Sequence, residues 1–303
     1  MGADMTDTFH HDYSSSQDVR FTYSHPGQST FRKTLIRGVE RLSGQPHLRK
    51  LYLDWSAAPG PNETVFAAAL RLLRINLLLR DTRHLDALPR DGGLLIIANH
   101  PYGIVDGLAL GHLGMTLRGN VRIMTNSLLC QPREVLPHLL PVDFSGTVEA
   151  RKTTAETRRR AADLLSDGKV VAIFPGGGVA TANRPLRGAA VDSDWHPFVG
   201  RLATLPGVTT LPLHFSGQNS RLFQIASHLS YPLRVALIFH ETRRLMGQPI
   251  EVTLGAPIAS DTLSQLDRTE IARHLRRLTM ALDPRPSDDP DEVFTWPSHI
   301  RFN

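Results

Sequence analysis

Leu94-Leu95-Ile96-Ile97-Ala98-Asn99-His100-Pro101-Tyr102-Gly103-Ile104-Val105-Asp106-Gly107 is the stretch whose reading decides the fold. A short apolar run preceded by a glycine pair has the length of a buried strand rather than of a helix. Pro101 holds His100 extended and cannot continue a ladder, so the strand stops there. Gly103 permits a tight turn, and from Asp106 the chain reads as the start of a helix. A histidine thus stands at the tip of a buried strand, with a carboxylate across one turn. In open α/β sheets ligands gather at the carboxyl ends of the strands. A carboxylate accepting from one ring nitrogen fixes the tautomer and leaves the other nitrogen to take a proton. The structural alternative is that His100 ends the strand and Asp106 caps the helix.

Outward from this stretch, strands and helices alternate. Residues 108–117 read as a helix and 121–125 as a strand. Residues 131–140 read as a helix, 149–167 as a long polar helix and 169–174 as a second continuous apolar strand. Residues 198–205 are expected to be helical, and 208–215, 233–239 and 250–254 to be strands. Residues 269–282 form an amphipathic helix. Upstream, residues 63–80 read as one strong, unusually apolar helix. Residues 29–42 read as a basic amphipathic helix with Phe31, Leu35, Val39 and Leu42 near helical spacing. Such a helix either lies on a bilayer or packs on its own core. The pattern predicts an α/β fold with a mixed, largely parallel central sheet flanked by helices. Residues 1–28 are a polar tail expected to be poorly ordered, 29–283 a single domain with N-terminal amphipathic helices, and 284–303 a Pro/Asp-rich tail.

The composition narrows the function class. Hydrophobic residues make up 41% and charged residues 21% of the 303, which is a globular balance. No apolar stretch approaches the roughly 18 residues of a transmembrane helix, and the polar start of the chain is no secretory signal. The single cysteine, Cys130, excludes an internal disulfide and fits a reducing cytosol. The net charge of +5 comes mostly from arginine clusters, among them Arg158-Arg159-Arg160. These lack interleaved aromatics and no nucleic-acid signature accompanies them, so an anionic membrane surface is the better match than nucleic acid.

A second motif, Phe174-Pro175-Gly176-Gly177-Gly178, places three glycines at a strand end. Glycines let backbone N–H groups converge on an anion, as in nests and oxyanion holes. It is neither a P-loop nor a dinucleotide fingerprint, and no G-x-S-x-G elbow occurs. The histidines are scattered, so no metal is expected.

Three blocks occur in order: Asn99-His100-Pro101-Tyr102-Gly103-(x2)-Asp106-Gly107, Ile173-Phe174-Pro175-Gly176-Gly177-Gly178-Val179, and residues 211–224, which include Gln218-Asn219-Ser220-Arg221. Together they resemble the glycerolipid (lysophospholipid) acyltransferase superfamily, in particular its bacterial hemolysin-like branch. The resemblance implies His100 as general base and Asp106 as its partner. It implies substrate contacts at Asn99, Gly103, Phe174, Pro175, Gly176, Gly177, Gly178, Gln218, Asn219 and Arg221. The family spaces the pair by four intervening residues, where this chain has five. Its F-P-E-G-T-R block, which holds an acceptor phosphate, has Gly177 near the glutamate position here. The activity implied is transfer of a fatty acyl group from a thioester, on coenzyme A or acyl carrier protein, to a lysolipid hydroxyl. No acyl-enzyme and no cofactor are needed, and the protein is expected on the inner, cytoplasmic face of the membrane. A lipid-binding protein with an altered site, or a hydrolase activating water with the same base, are the alternatives.

Overall fold

β2 (Gly93–Ala98) is the middle of the molecule, with every residue buried. The computed structural model describes residues 22, 30–126, 132–143, 147–285 and 289–300. β2 pairs in parallel with β5 (Val170–Ile173) on one side and β6 (Val208–Phe215) on the other. β3 (Arg122–Asn126) and β4 (Leu139–Val142) extend the sheet beyond β5, again in parallel. On the far side, β7 (Pro249–Leu254) runs antiparallel to β6 and carries β1 (Asn76–Arg80) parallel to itself. The short β8 (Ile258–Ala259) also pairs with β6, which makes the sheet eight-stranded among the described residues. The sheet is mixed and largely parallel.

Both faces of β2 are apolar because both are covered. Leu94, Ile96 and Ala98 face a core shared with α1 (Thr30–Leu42), α2 (Gln45–Ala57), α3 (Val65–Leu72), α4 (Ile104–Arg118), α7 (Arg221–Leu229), α8 (Tyr231–Ala236) and α9 (Ile238–Arg244). Leu95 and Ile97 face the opposite core, under α5 (Val148–Ser166), α6 (Phe198–Ala203), α10 (Ser260–Leu263) and α11 (Arg268–Met280). The two-residue strand period carries on past Ala98 and directs His100 toward the first core. α1 belongs to that core as well: Ile36 is buried in it and the helix packs against α8. Residues 289–300 lie along the body, with Phe294 and Ile300 buried.

Three expectations are corrected. Residues 63–80 are not one helix: α3 ends near Arg74, whose φ of +54° turns the chain, and Asn76–Arg80 pairs with β7. Residues 233–239 form no strand. Ser230 caps α8 through the Leu233 N–H, Pro232 sits in its first turn, and α9 follows. Within 131–140 the described residues form a 3-10 turn (Leu136–His138), and Leu139 opens β4. Cys130 and residues 1–21 lie outside the described residues.

Close backbone approach makes Gly93 sensitive. A methyl group there would overlap the Leu165 carbonyl at the end of α5. The obstacle is backbone and cannot swing aside, so Gly93→Ala should destabilise by about 1–3 kcal/mol. Urea unfolding measures this, as a lowered midpoint at unchanged slope.

Candidate active site

The carboxyl ends of β2, β5 and β6 lie side by side, so their loops, residues 99–103, 174–182 and 216–220, meet at one edge of the sheet. Asn99 fastens the first loop to the third. Its Nδ2 donates to the Phe215 carbonyl at 2.9 Å, and its Oδ1 accepts the Phe215 N–H at 2.7 Å, in effect one more rung of the ladder. The His100 main chain is held on both sides: its N–H donates to Asp192 Oδ1 at 3.2 Å, and its carbonyl accepts the Ala180 N–H at 2.7 Å. The imidazole stacks on Phe174, with ring centres 4.0 Å apart.

His100 Nδ1 stands 3.2 Å from Asp106 Oδ1. The contact is one of proximity rather than an aligned hydrogen bond, since Nδ1 has no hydrogen-bond partner. The His100 side chain is 17% exposed and that of Asp106 not at all. Asp106 occupies the first turn of α4 behind Gly103, whose φ of +91° sets the corner. Its Oδ2 accepts the Tyr102 N–H at 2.8 Å and its Oδ1 the Gly107 N–H at 3.1 Å. Unpaired N–H groups and the helix dipole stabilise a carboxylate there. The capping and the catalytic readings of Asp106 are therefore geometrically compatible, since one carboxylate both accepts at the helix start and faces the imidazole.

The glycine loop follows directly. The Gly177 N–H donates to the Phe174 carbonyl at 3.0 Å and closes a turn with φ of +70° at Gly177, which takes that N–H out of any oxyanion hole. Side chains added at Gly177 or Gly178 would meet open space, whereas one at Gly176 would press on Asp192. Pro175 is buried. The strap beyond is clamped by buried Arg234, which donates to Thr181 Oγ1 at 2.5 Å and Ser227 Oγ at 2.6 Å and also binds the Val179 carbonyl. Burial pulls this guanidinium down to about 10.

The third block braces rather than reaches. Gln218 Oε1 accepts the Ala190 N–H at 2.8 Å, and Asn219 Nδ2 donates to the Tyr102 carbonyl at 3.4 Å. Exposed Arg221 donates to the Gly188 carbonyl at 2.9 Å. The Tyr102 hydroxyl donates to the Ser216 carbonyl at 2.6 Å, and burial pushes that phenol up to about 12. Of the residues expected from sequence, His100, Gly103 and Phe174 line one opening, and Asp106 lies buried behind His100. Asn99, Gln218 and Asn219 spend their amides on the main chain of neighbouring loops.

Two buried carboxylates carry no signal in the sequence. Asp192, 1% exposed, accepts from the His100 N–H and from Trp195 Nε1 at 3.0 Å, and burial pushes its carboxyl up. Glu241 accepts the Ser220 N–H at 2.8 Å and hydroxyl at 2.5 Å, and pairs with Arg244 Nε at 2.9 Å. His100 opens on an apolar cavity of about 230 Å3 that also meets Leu48, Leu51, Trp55, Leu108 and Phe239. Among the described residues no group of three or more His, Cys, Asp or Glu side chains is placed to hold a metal.

Residues 58–246 match the family model described as Acyltransferase. The chain is 27% identical over 192 residues to a lyso-glycine lipid O-acyltransferase of Phocaeicola vulgatus, covering 61% of this chain and 66% of that protein. It is 26% identical over 192 residues to a protein of the same name from Bacteroides thetaiotaomicron, covering 61% of this chain and 68% of that protein. The matched region spans about two thirds of the length of these relatives.

Proposed function

The chain belongs to this acyltransferase family, and from that premise we propose that it moves a fatty acyl group from a thioester to the hydroxyl of a lysolipid. The observation that carries the reading is His100, backed by a fully buried carboxylate and opening on an apolar cavity of about 230 Å3. With Nδ1 turned to Asp106, Nε2 is the nitrogen available to substrate. It takes the proton of the acceptor hydroxyl as that oxygen attacks the thioester carbonyl, and Asp106 stabilises the resulting imidazolium. Collapse of the tetrahedral intermediate expels the thiolate, which takes the proton back from Nε2, so ester and free thiol form in equal amounts. The apolar cavity takes the acyl chain, and the glycine-loop N–H assigned to the developing oxyanion is that of Gly178, where a side chain would meet open space. The names of the relatives favour an amino-acid lipid, such as a lyso-glycine lipid, as acceptor.

Mass spectrometry of lipids decides this. The protein is incubated with acyl-CoA or acyl carrier protein and a panel of lysolipids, lyso-glycine lipid among them. We expect an O-acylated lipid matched mole for mole by free thiol. Free fatty acid without acylated lipid would identify a hydrolase and overturn the reading.

Access to such an acceptor requires a lipid surface. No helix among the described residues is long and apolar enough to cross a membrane. Leu186 and Leu222 are exposed at 72% and 52%, with Arg184, Arg187 and Arg221 exposed beside them in sequence. Apolar residues flanked by arginine suit the cytoplasmic leaflet, which is anionic. Flotation with anionic liposomes should recover the protein at low salt and lose it at high salt; failure to float at low salt would remove the membrane from the proposal.

A further inference from the structure

We propose that the arginine-lined groove between α5 and α6 binds the phosphate groups of the thioester donor, an assignment that rests on the acyl-transfer reading above. The groove encloses about 490 Å3 and is lined by Arg151, Arg158, Arg159 and Arg201, with Asp143 as its one acid. Arg151, Thr154 and Arg158 stand at helical spacing on one stripe of α5, so the charges line one wall. Arg159 reaches Glu156 only at 4.0 Å, and Arg151, Arg158 and Arg201 pair with no carboxylate among the described residues.

A second observation points to an anion. A neutral imidazole has one lone pair on its ring nitrogens. Yet the Phe198 N–H points at His196 Nδ1 from 3.0 Å, and Arg158 Nη2 at His196 Nε2 from 3.3 Å. One of these contacts must set donor against donor whichever tautomer is present. Protonating the ring makes both unfavourable, and burial together with Arg158 holds His196 below its usual pKa. An anion seated at exposed His196 and Arg158 accepts from both and resolves the conflict. Guanidinium forks match phosphate oxygens in geometry as well as charge.

The groove is also connected to the reacting centre. The His196 N–H donates to the Pro175 carbonyl at 3.1 Å, and Pro175 follows Phe174, the residue stacked on His100. A donor with its acyl chain in the apolar cavity and its carbonyl at His100 thus passes over the carboxyl end of β5, and its phosphates come down on the α5 side. Coenzyme A and carrier proteins both present phosphate esters on a pantetheine arm, so that phosphate chemistry is what the groove recognises.

The test compares palmitoyl-CoA with S-palmitoyl-N-acetylcysteamine, a thioester without phosphate. In an Arg151→Gln/Arg201→Gln variant, both positions being exposed, the ratio of kcat/KM for the two donors should fall about tenfold or more. An unchanged ratio overturns the assignment. Competition separates the sources: inhibition by 3′,5′-ADP marks the nucleotide phosphates of coenzyme A, and inhibition by 4′-phosphopantetheine alone marks the phosphate that a carrier protein shares. Competition by neither also overturns it. Calorimetric binding of CoA needs no turnover. Affinity lost in the variant of a protein that transfers no acyl group supports the groove and sinks the function; acyl transfer with equal CoA affinity in both proteins does the reverse.

Discussion

His100→Ala should lower acyl transfer by about 10²–10⁴ while the protein stays folded. The loss corresponds to about 3–5 kcal/mol of transition-state stabilisation. The fold survives because what His100 contributes structurally is main chain. Its N–H to Asp192 and its carbonyl to Ala180 are retained in alanine. The ring gives up its stacking on Phe174, worth about 0.5–1.5 kcal/mol by analogy with aromatic pairs, and a 3.2 Å contact with Asp106 that is not an aligned hydrogen bond. Thioester consumption followed by thiol release, beside a urea unfolding curve, measures both quantities on one preparation. A variant with wild-type turnover would remove the base from the mechanism, and one that fails to fold would show that the ring, not the main chain, anchors the loop.

The parts of the site legible in the sequence are those whose constraint is local. Residues 94–98 announce a doubly covered strand because all of them are apolar, and they are wholly buried. Pro101 and Gly103 then specify where the strand stops and the corner turns. The spacing from His100 to Asp106 crosses a single turn, so strand tip and helix start bring the two side chains together without help from the rest of the chain. The errors are instructive for the same reason. Leu77-Leu78-Leu79 continues the apolar character of α3, and what breaks the helix is a left-handed Arg74, a residue type that gives no warning. The apolar run around Val235 looks like a strand, yet the Ser230 cap and Pro232 decide for a helix. The strand at Asn76–Arg80 exists only because β7 is there to pair with it.

Long-range partners stay invisible to any local pattern. Asp192 meets His100 across 92 residues, and Glu241 meets Ser220 across 21. Asn99 illustrates the converse. It sits inside a recognisable motif, yet both ends of its amide go to Phe215, 116 residues away, and it works as a rung of the sheet. Motif membership thus marks the candidate site, and the hydrogen-bond partners distinguish groups left open to the cavity from groups that hold the loops around it.

Asp106→Asn should cost both activity and stability, which separates it from His100→Ala. The carboxylate is wholly buried and each of its oxygens faces a donor: Oδ2 the Tyr102 N–H, Oδ1 the Gly107 N–H and, at 3.2 Å, His100 Nδ1. An amide has one oxygen, so its NH2 must be set against a donor on one side. That loss, at a helix N-terminus that favours negative charge, should reduce unfolding free energy by about 1–3 kcal/mol. Turnover should fall by about 10²–10⁴, because the imidazolium is no longer stabilised and the tautomer no longer held. The double variant settles how the aspartate acts. If Asp106 works on the reaction only through His100, then in a His100→Ala background the Asp106→Asn change lowers turnover no further, while its stability cost remains in full. Multiplying losses would instead give Asp106 a contact of its own with the substrate, and an unaltered single-variant rate would reduce it to a helix cap.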